Sequence, residues 1–330
     1  MSKQSVGFIG LGCYIPEKTM TNYDLEKLVE TSNEWIVERT GIKERHIAAP
    51  EEATSDLAVI AAQRAIADAG LTSEDIDLVI VATESPDTKF PSTACMVQDK
   101  IGATHAAAFD LSAGCSGFVY GSAVASQMIA TGLYKYVLVV GAETLSRIMN
   151  WEDRNTCVLF GDGAGAAVLG PVEEGYGIEG IDLGADGSGG HYLIQPAGGS
   201  RKPASHETVD AKEHFIHMNG NEVFKFAIKI MGRSALRVLD KAGLTKDDID
   251  LLIPHQANIR IINSAAKRLK LSPEKIVVDV DKYGNTSAAS IPIAMCEARD
   301  EGRLIKGENV LLVGFGAGLT WASIVVKWHK

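Results

Sequence analysis

The sequence predicts an α/β protein built from two similar halves, and three features carry that expectation. First, the chain repeats itself: "DAGLTSEDIDLVIVA" (68–82) returns as "KAGLTKDDIDLLIPH" (241–255), 173 residues on, and "VLVVG" (137–141) returns as "VLLVG" (310–314) at the same offset. Two matches at one offset are hard to obtain by chance, so each half is expected to copy one supersecondary plan. Second, continuous apolar runs such as "LVIVAT", "YKYVLVVGAE" and "ENVLLVGFG" suit strands buried on both faces. Third, these runs alternate with helical periodicity, the pattern of layered α/β folds.

The elements follow in order. "MSKQSVGFIGLGCYIP" has one lysine and an apolar patch that is short, Gly-broken and without a small-residue cleavage site, so a buried first strand is expected rather than a signal peptide. "TSDLAVIAAQRAIADAG" is a helix ending on Gly70 as its C′ residue. "LTSEDID" is a polar connection whose threonine and acids suit a short helical turn, and the strand "LVIVAT" comes next. "AAAFDL" is a strand feeding the small-residue helix "CSGFVYGSAVASQMIATG", which closes at Gly132. In the second copy a strand ends at Pro254 and a helix starts near His255 or Gln256. "IVVDV" is a further strand, and a small-residue helix follows Asn285. "VLLVGFGAGLTWASIVV" is strand, Gly-rich turn, strand; with no Lys-Ser/Thr and no following helix it is neither a Walker nor a Rossmann loop. The irregular segment 184–215 is an excursion over the surface or the site. No Pro- or Ser-rich linker separates the copies, so residues 1–172 and 173–330 are expected to form one fused unit.

Composition excludes several classes. A net charge of −10 argues against generic binding of nucleic acid or anionic membrane, and leaves any acidic partner in need of a local basic patch. The five cysteines are scattered with no Cys-x-x-Cys, which suggests neither a disulfide framework nor a thiolate zinc site and fits a reducing cytoplasm. No apolar run approaches the roughly 18 residues of a membrane helix.

Candidate chemistry clusters at strand-to-helix junctions. Cys115 falls on the first turn of its helix, where the dipole and free N–H groups favour thiolate, and its small neighbours leave room for a substrate. Taken alone it is equally well a small buried core residue. His255 ends a repeated strand where the first copy has Ala82. Asn285 leads a helix placed like that of Cys115, although a turn or N-cap is the commonest role of such an asparagine. The Gly-rich turn around Ala317 can offer a backbone N–H to an oxyanion.

"AGCSGF", "PHQANIRI", "YGNTSAASIP" and "GFGAGLTW" occur in this order, with "TSNEWIVERTGIKERHIA" near the start. Over essentially its whole length the chain resembles β-ketoacyl-ACP synthase III, the initiating condensing enzyme of bacterial fatty acid synthesis, with a thiolase-like fold of five layers, helix–sheet–helix–sheet–helix. The resemblance implies a Cys115–His255–Asn285 triad. It implies that Cys115 takes the acyl group of an acyl-CoA primer, typically acetyl-CoA, and that decarboxylation of malonyl-ACP then drives condensation, with His255 and Asn285 on the enolate oxygen and no metal or redox cofactor. It also implies that the backbone N–H groups of Cys115 and Ala317 hold the oxyanion; many relatives have glycine at the latter position.

Substrate contacts follow from the same likeness. Thr31 and Glu34 fit a capping box for "NEWIVERT", which puts Trp35 and Arg39 on one face. Trp35 and Arg154 are expected to sandwich the CoA adenine, with Arg39 near the phosphates and Asn221 and Asn258 lining the pantetheine tunnel. Gln256, Ala257, Asn258, Ile259, Arg260 and Lys267 match the ACP-binding segment, in a helix that also carries Arg268 and Lys270. Phe90 matches a residue that caps the acyl pocket of a partner subunit, which implies a homodimer. One departure is Glu84, where many relatives are neutral. HMG-CoA synthases of the same superfamily use a glutamate base near this point, and a buried or salt-paired structural carboxylate is the plainer alternative. A secondary-metabolite condensing enzyme or acyltransferase and a non-enzymatic scaffold complete the rivals.

Overall fold

Strands buried on both faces need a layer on each side, and the computed structural model, which describes residues 4–330, supplies them. The first large sheet contains β1 (Val6–Tyr14), β2 (Leu78–Ala82), β3 (Ala107–Leu111), β4 (Val137–Glu143) and β5 (Gly163–Pro171), in the order β1-β5-β4-β2-β3. The second contains β6 (Gly177–Ala185), β7 (Leu251–Pro254), β8 (Asn309–Gly316) and β9 (Thr320–Lys327), in the order β7-β8-β9-β6. Matched strands share order and sense: β2 and β4 are parallel like β7 and β8, β4–β5 and β5–β1 are antiparallel like β8–β9 and β9–β6, and the additional edge strand β3 runs parallel to β2.

Alternate side chains of one strand enter different cores. On the outer face of the first sheet, α1 (Thr54–Asp68) packs Leu57, Ala61 and Ala65 over Val79, Val81, Leu138 and Val140. The opposite side chains, Leu78, Ile80, Val137 and Val139, enter the central layer. There α2 (Gly117–Ala130) and α3 (Ser290–Asp300) also meet Leu251, Ile253, Val310 and Leu312 of the second sheet. Beyond it, α4 (Gly220–Ala242) and α5 (Ile259–Leu269) cover Leu252, Leu311, Val313 and Val325. The result is helix–sheet–helix–sheet–helix. Among the described residues no helix is long and apolar enough to cross a membrane.

Local signals in the first copy hold: α1 ends before Gly70 at φ +68°, and Thr72 and Thr245 open matched short turns by bonding Asp75 and Asp248. Three expectations change. "IVVDV" forms no strand; it leaves one bridge between Leu252 and Ile276 and then turns into a short helix, Val280–Tyr283. The buried Gln256 amide donates to the Val277 carbonyl and accepts from the Asp279 N–H, so a side chain provides bonds a longer strand pair would have made. The following helix begins at Ile259 rather than near His255, because the Asn258 side chain caps it at the Arg260 N–H. The helix Asn33–Thr40 is capped by Ser32, which accepts from the Trp35 N–H at 3.1 Å, and not by Thr31, whose hydroxyl is enclosed without a partner.

The central helices start alike. Short 3₁₀ turns at Gly114–Ser116 and Ser287–Ala289 lead into α2 and α3, 173 residues apart. Each turn opens on a residue with positive φ, Gly114 at +57° and Ser287 at +49°. Each presses on the other sheet: a Cβ on Gly141 of β4 would lie 2.1 Å from the Ala288 carbonyl oxygen, and one on Gly316 of β8 would lie 2.3 Å from the Cys115 nitrogen. Backbone cannot yield as a side chain can, so Gly141→Ala should cost about 2–3 kcal/mol. Gly187→Ala, where a new Cβ meets nothing within 4 Å, should stay within about 0.5 kcal/mol. Urea midpoints of the two variants check this; equal midpoints would refute the contact argument.

Candidate active site

Cys115 lies in the turn between β3 and α2 and is 8% exposed. Its turn is pinned from both sides. The Ser116 and Thr320 hydroxyls are 2.8 Å apart and both reach the Ala113 carbonyl. A Cβ on Gly114 would lie 2.4 Å from the Ala317 nitrogen, just as one on Gly316 would meet the Cys115 nitrogen. The backbone N–H groups of Cys115 and Ala317 are therefore brought to one place, and Ala317 is not among the residues with positive φ.

His255 continues β7 by one bond, its N–H donating to the Val313 carbonyl at 2.8 Å. Its ring is buried, with Nδ1 2.6 Å from the Ser290 hydroxyl and Phe315 edge-on at 5.3 Å; Nε2 has no partner. Asn285 is held through its backbone, which accepts from Gly161 N–H and donates to the Leu159 carbonyl. Its side-chain oxygen accepts from the Ser287 N–H at 2.9 Å. That bond fixes the amide orientation and leaves the NH₂ group to donate elsewhere.

These three residues share one cavity of about 90 Å³, together with Phe224, Phe315 and Asn258. A second cavity of about 100 Å³ opens on the other side of Cys115, walled by Leu145, Ile148, Phe160 and Ile216 with Glu84 and Ser287. Outside the first lies a cleft of about 600 Å³ bordered by Trp35, Thr40 and Asn221, which shares Met218, Gly220 and Leu159 with it. The sequence of cleft, cavity, cysteine and inner cavity is the shape of a tunnel. A cleft of about 820 Å³ between α2 and β6 is not lined by Cys115.

Burial governs the ionisation of the site. It pushes the Cys115 thiol up to about 12, aided by the Glu143 and Glu84 carboxylates and opposed by the Ser287 hydroxyl. The activated thiolate expected from the helix start is thus outweighed in the ligand-free protein. Burial pushes His255 down to about 3, so its ring is neutral. Glu143, fully enclosed and close to Glu84, rises to about 7 even though Thr83, Ser85 and two backbone N–H groups donate to it. Burial raises Glu84 as well. Its carboxylate accepts from Ser112 and from the Gly114 N–H at 2.7 Å, so it is a half-buried, hydrogen-bonded carboxylate with no cation paired to it among the described residues.

The outer residues are placed unevenly. Arg154 stacks on Trp35 at 4.7 Å and donates to the Glu30 carbonyl, and Arg39 lies 5.9 Å from the same ring. A base between Trp35 and Arg154 needs about 7 Å, two van der Waals spacings, so Arg154 must move to admit one. Asn258 caps α5 and donates to the Arg39 carbonyl. Arg260 and Lys267 are exposed, with Arg260 over the Phe224 ring at 5.3 Å. Gln256 is buried and fully bonded, so it offers no contact to a docking protein, and Ala257 lines the cavity instead. The Thr31 hydroxyl is enclosed and has no hydrogen-bond partner. Phe90 is 88% exposed. Ser287, Ser290, Glu143 and Phe315 are site residues that the sequence reading does not single out, although Ser287 and Ser290 lie in "NTSAAS" and Phe315 in "GFGAGLTW".

The chain resembles known proteins over nearly its whole length. The family described as 3-Oxoacyl-[acyl-carrier-protein (ACP)] synthase III matches residues 109–187, and its C-terminal counterpart matches 239–328. A protein of Caldanaerobacter subterraneus subsp. tengcongensis named beta-ketoacyl-[acyl-carrier-protein] synthase III is 63% identical over 328 residues, 99% of each chain. A Desulfitobacterium hafniense protein of the same name is 61% identical over 99% of this chain and 98% of its own. The crystal structure of 3-oxoacyl-[acyl-carrier-protein] synthase III from Aquifex aeolicus superposes with a TM-score of 0.91 at 46% identity, covering 98% of this chain and 100% of that one.

The raised thiol makes a direct prediction. Below its pKa the thiolate fraction rises about tenfold per pH unit. Alkylation of Cys115 by iodoacetamide in the ligand-free enzyme should therefore keep accelerating through about pH 9. A plateau below about pH 8 would show a preformed thiolate instead.

Proposed function

The chain belongs to the β-ketoacyl-ACP synthase III family, condensing acyltransferases of thiolase-like fold, and we propose that its condensation of an acyl-CoA primer with malonyl-ACP runs through Cys115, His255 and Asn285. The observation that carries the assignment of residues is the shared cavity, which lies at the inner end of a tunnel and holds a sulfur, an imidazole and an oriented amide.

Cys115 attacks the thioester carbonyl, the developing oxyanion is held by the N–H groups of Cys115 and Ala317, and CoA leaves with the thiol proton. The acyl chain then occupies the inner cavity beside Leu145 and Ile148, whose size suits a short primer such as acetyl. Malonyl-ACP enters by the same tunnel. Loss of CO₂ places charge on its thioester oxygen, where His255 Nε2 and the Asn285 amide donate, and the resulting carbanion attacks the acyl group to give 3-oxoacyl-ACP. No metal or redox cofactor is required, because decarboxylation supplies the driving force.

CoA is read by Trp35, Arg154 and Arg39 at the mouth, with Asn221 and Asn258 along the tunnel. ACP docks on the exposed cations of α5, chiefly Arg260 and Lys267. Phe90 and the open edge of β3 suit a second copy of the chain, so the enzyme works as a homodimer. In the same reading the chain divides at 172/173, with the nucleophile in one half and its partners in the other. Glu84 is tied to Ser112 and Gly114, which disfavours a free base of the HMG-CoA synthase kind.

With radiolabelled acetyl-CoA, the enzyme should label Cys115 and then pass label to 3-oxoacyl-ACP when malonyl-ACP is added, but not condense with acetoacetyl-CoA. Cys115→Ala should abolish loading; retained loading would remove the nucleophile from this site. Arg260→Glu should raise KM for malonyl-ACP about tenfold and leave acyl-CoA loading unchanged. An unaltered KM would place ACP elsewhere.

A further inference from the structure

We infer that Ser290 is a positioning residue that holds His255 in its Nε2–H tautomer, making the imidazole a hydrogen-bond donor into the cavity rather than the base that activates Cys115. The inference rests on the condensing reading above.

Ser290 opens α3 and is 2% exposed. Its hydroxyl oxygen lies 2.6 Å from Nδ1 of His255 and 3.5 Å from the backbone nitrogen of Gln256, which donates to it. A serine hydroxyl has one proton and two lone pairs. Were Nδ1 protonated, the oxygen would accept from both nitrogens and its own proton would have no acceptor among the bonds the structure records, an unfavourable state for a buried group. With Nδ1 as acceptor every group is used: Gln256 N–H to Oγ, Oγ–H to Nδ1, and the ring proton on Nε2. That atom is the buried, unpartnered one, on a ring that lines the cavity with Cys115 and Asn285. Phe315, edge-on to the imidazole, packs the ring in this orientation.

The internal repeat gives an independent view of the same contact. Ser290 and His255 lie 173 residues beyond Gly117 and Ala82, and a Cβ on Gly117 would fall 3.0 Å from the Ala82 Cβ. Both halves thus bring the first helical residue against the end of the matched strand. In the second half alone that approach carries a hydroxyl and an imidazole.

The proton balance agrees. In acyl transfer the Cys115 sulfur–carbon bond forms, the carbon–sulfur bond to CoA breaks, and the thiol proton ends on CoA, so none is stored on His255. In condensation the electron pair of the lost CO₂ moves to the enolate oxygen, where Nε2–H donates. Carbon–carbon bond formation then releases Cys115 as thiolate, which takes a proton from solvent.

The test uses the full enzyme labelled with ¹⁵N-histidine, its His255 ring signals identified by their loss in His255→Gln. At about pH 7 the proton should reside on Nε2; a proton on Nδ1 would overturn the inference, and this holds even if no Ser290 variant folds. Ser290→Ala should lower malonyl-ACP decarboxylation and condensation at least about tenfold while Cys115 acylation stays within about threefold, and Ser290→Thr should restore most of the loss. Equal loss in both half-reactions, or none in condensation, would refute the positioning role. Retained loading in Cys115→Ala would instead defeat the condensing assignment and leave the tautomer measurement standing.

Discussion

Everything in this structure depends on how closely the first turns of the two central helices approach the opposite sheet. Interiors are packed as tightly as organic crystals, and here the contact is backbone on backbone, with no side chain to adjust. Gly141 meets the Ala288 carbonyl and Gly316 meets the Cys115 nitrogen. The approach fixes where two helix N-termini stand relative to two sets of strand ends. It therefore fixes the distances among a cysteine on one helix start, an amide leading into the other and a histidine on a strand end. Neither half can form the site alone, because the turn of each is completed by a strand of the other. The same approach explains the small residues of "AGCSGF" and "TSAAS": larger side chains there would separate the layers that the chemistry requires together.

Much of this was legible in the residues and part of it was not. The offset of 173 predicts matched strands, and it puts His255 at the end of a repeated strand and Cys115 and Asn285 near the starts of matched helices. The failures have physical causes. "IVVDV" has the β-branched content of a strand, yet a buried side-chain amide, Gln256, takes over part of its bonding; propensity cannot anticipate a tertiary partner. "TSN" offers two adjacent hydroxyls as helix cap, and which one serves depends on how the preceding chain enters, so Thr31 was indistinguishable from Ser32. The likeness to an ACP-binding segment groups Gln256 with Arg260, but a segment match does not say which of its residues face inward. Ser290 has no sequence signature because its meaning lies entirely in a contact 35 residues away.

The ionisation of the site points to a further principle. Cys115 is held as thiol and His255 as neutral imidazole, both by burial. Burying an unpaired ion costs far more than burying a dipole, so a resting site without charge at its reacting atoms keeps the close packing that places them. In the proposed mechanism charge then arises only on the substrate, first at the oxyanion beside Cys115 and Ala317 and later at the enolate oxygen beside His255 and Asn285. Donors already aimed at those positions need no reorganisation when it appears. An N–H that stays put serves this design better than a base that must gain and lose a proton. The Ser287 N–H that orients Asn285 and the Ser290 hydroxyl that orients His255 perform equivalent tasks, each using up the acceptor end of its partner so that the donor end faces the substrate.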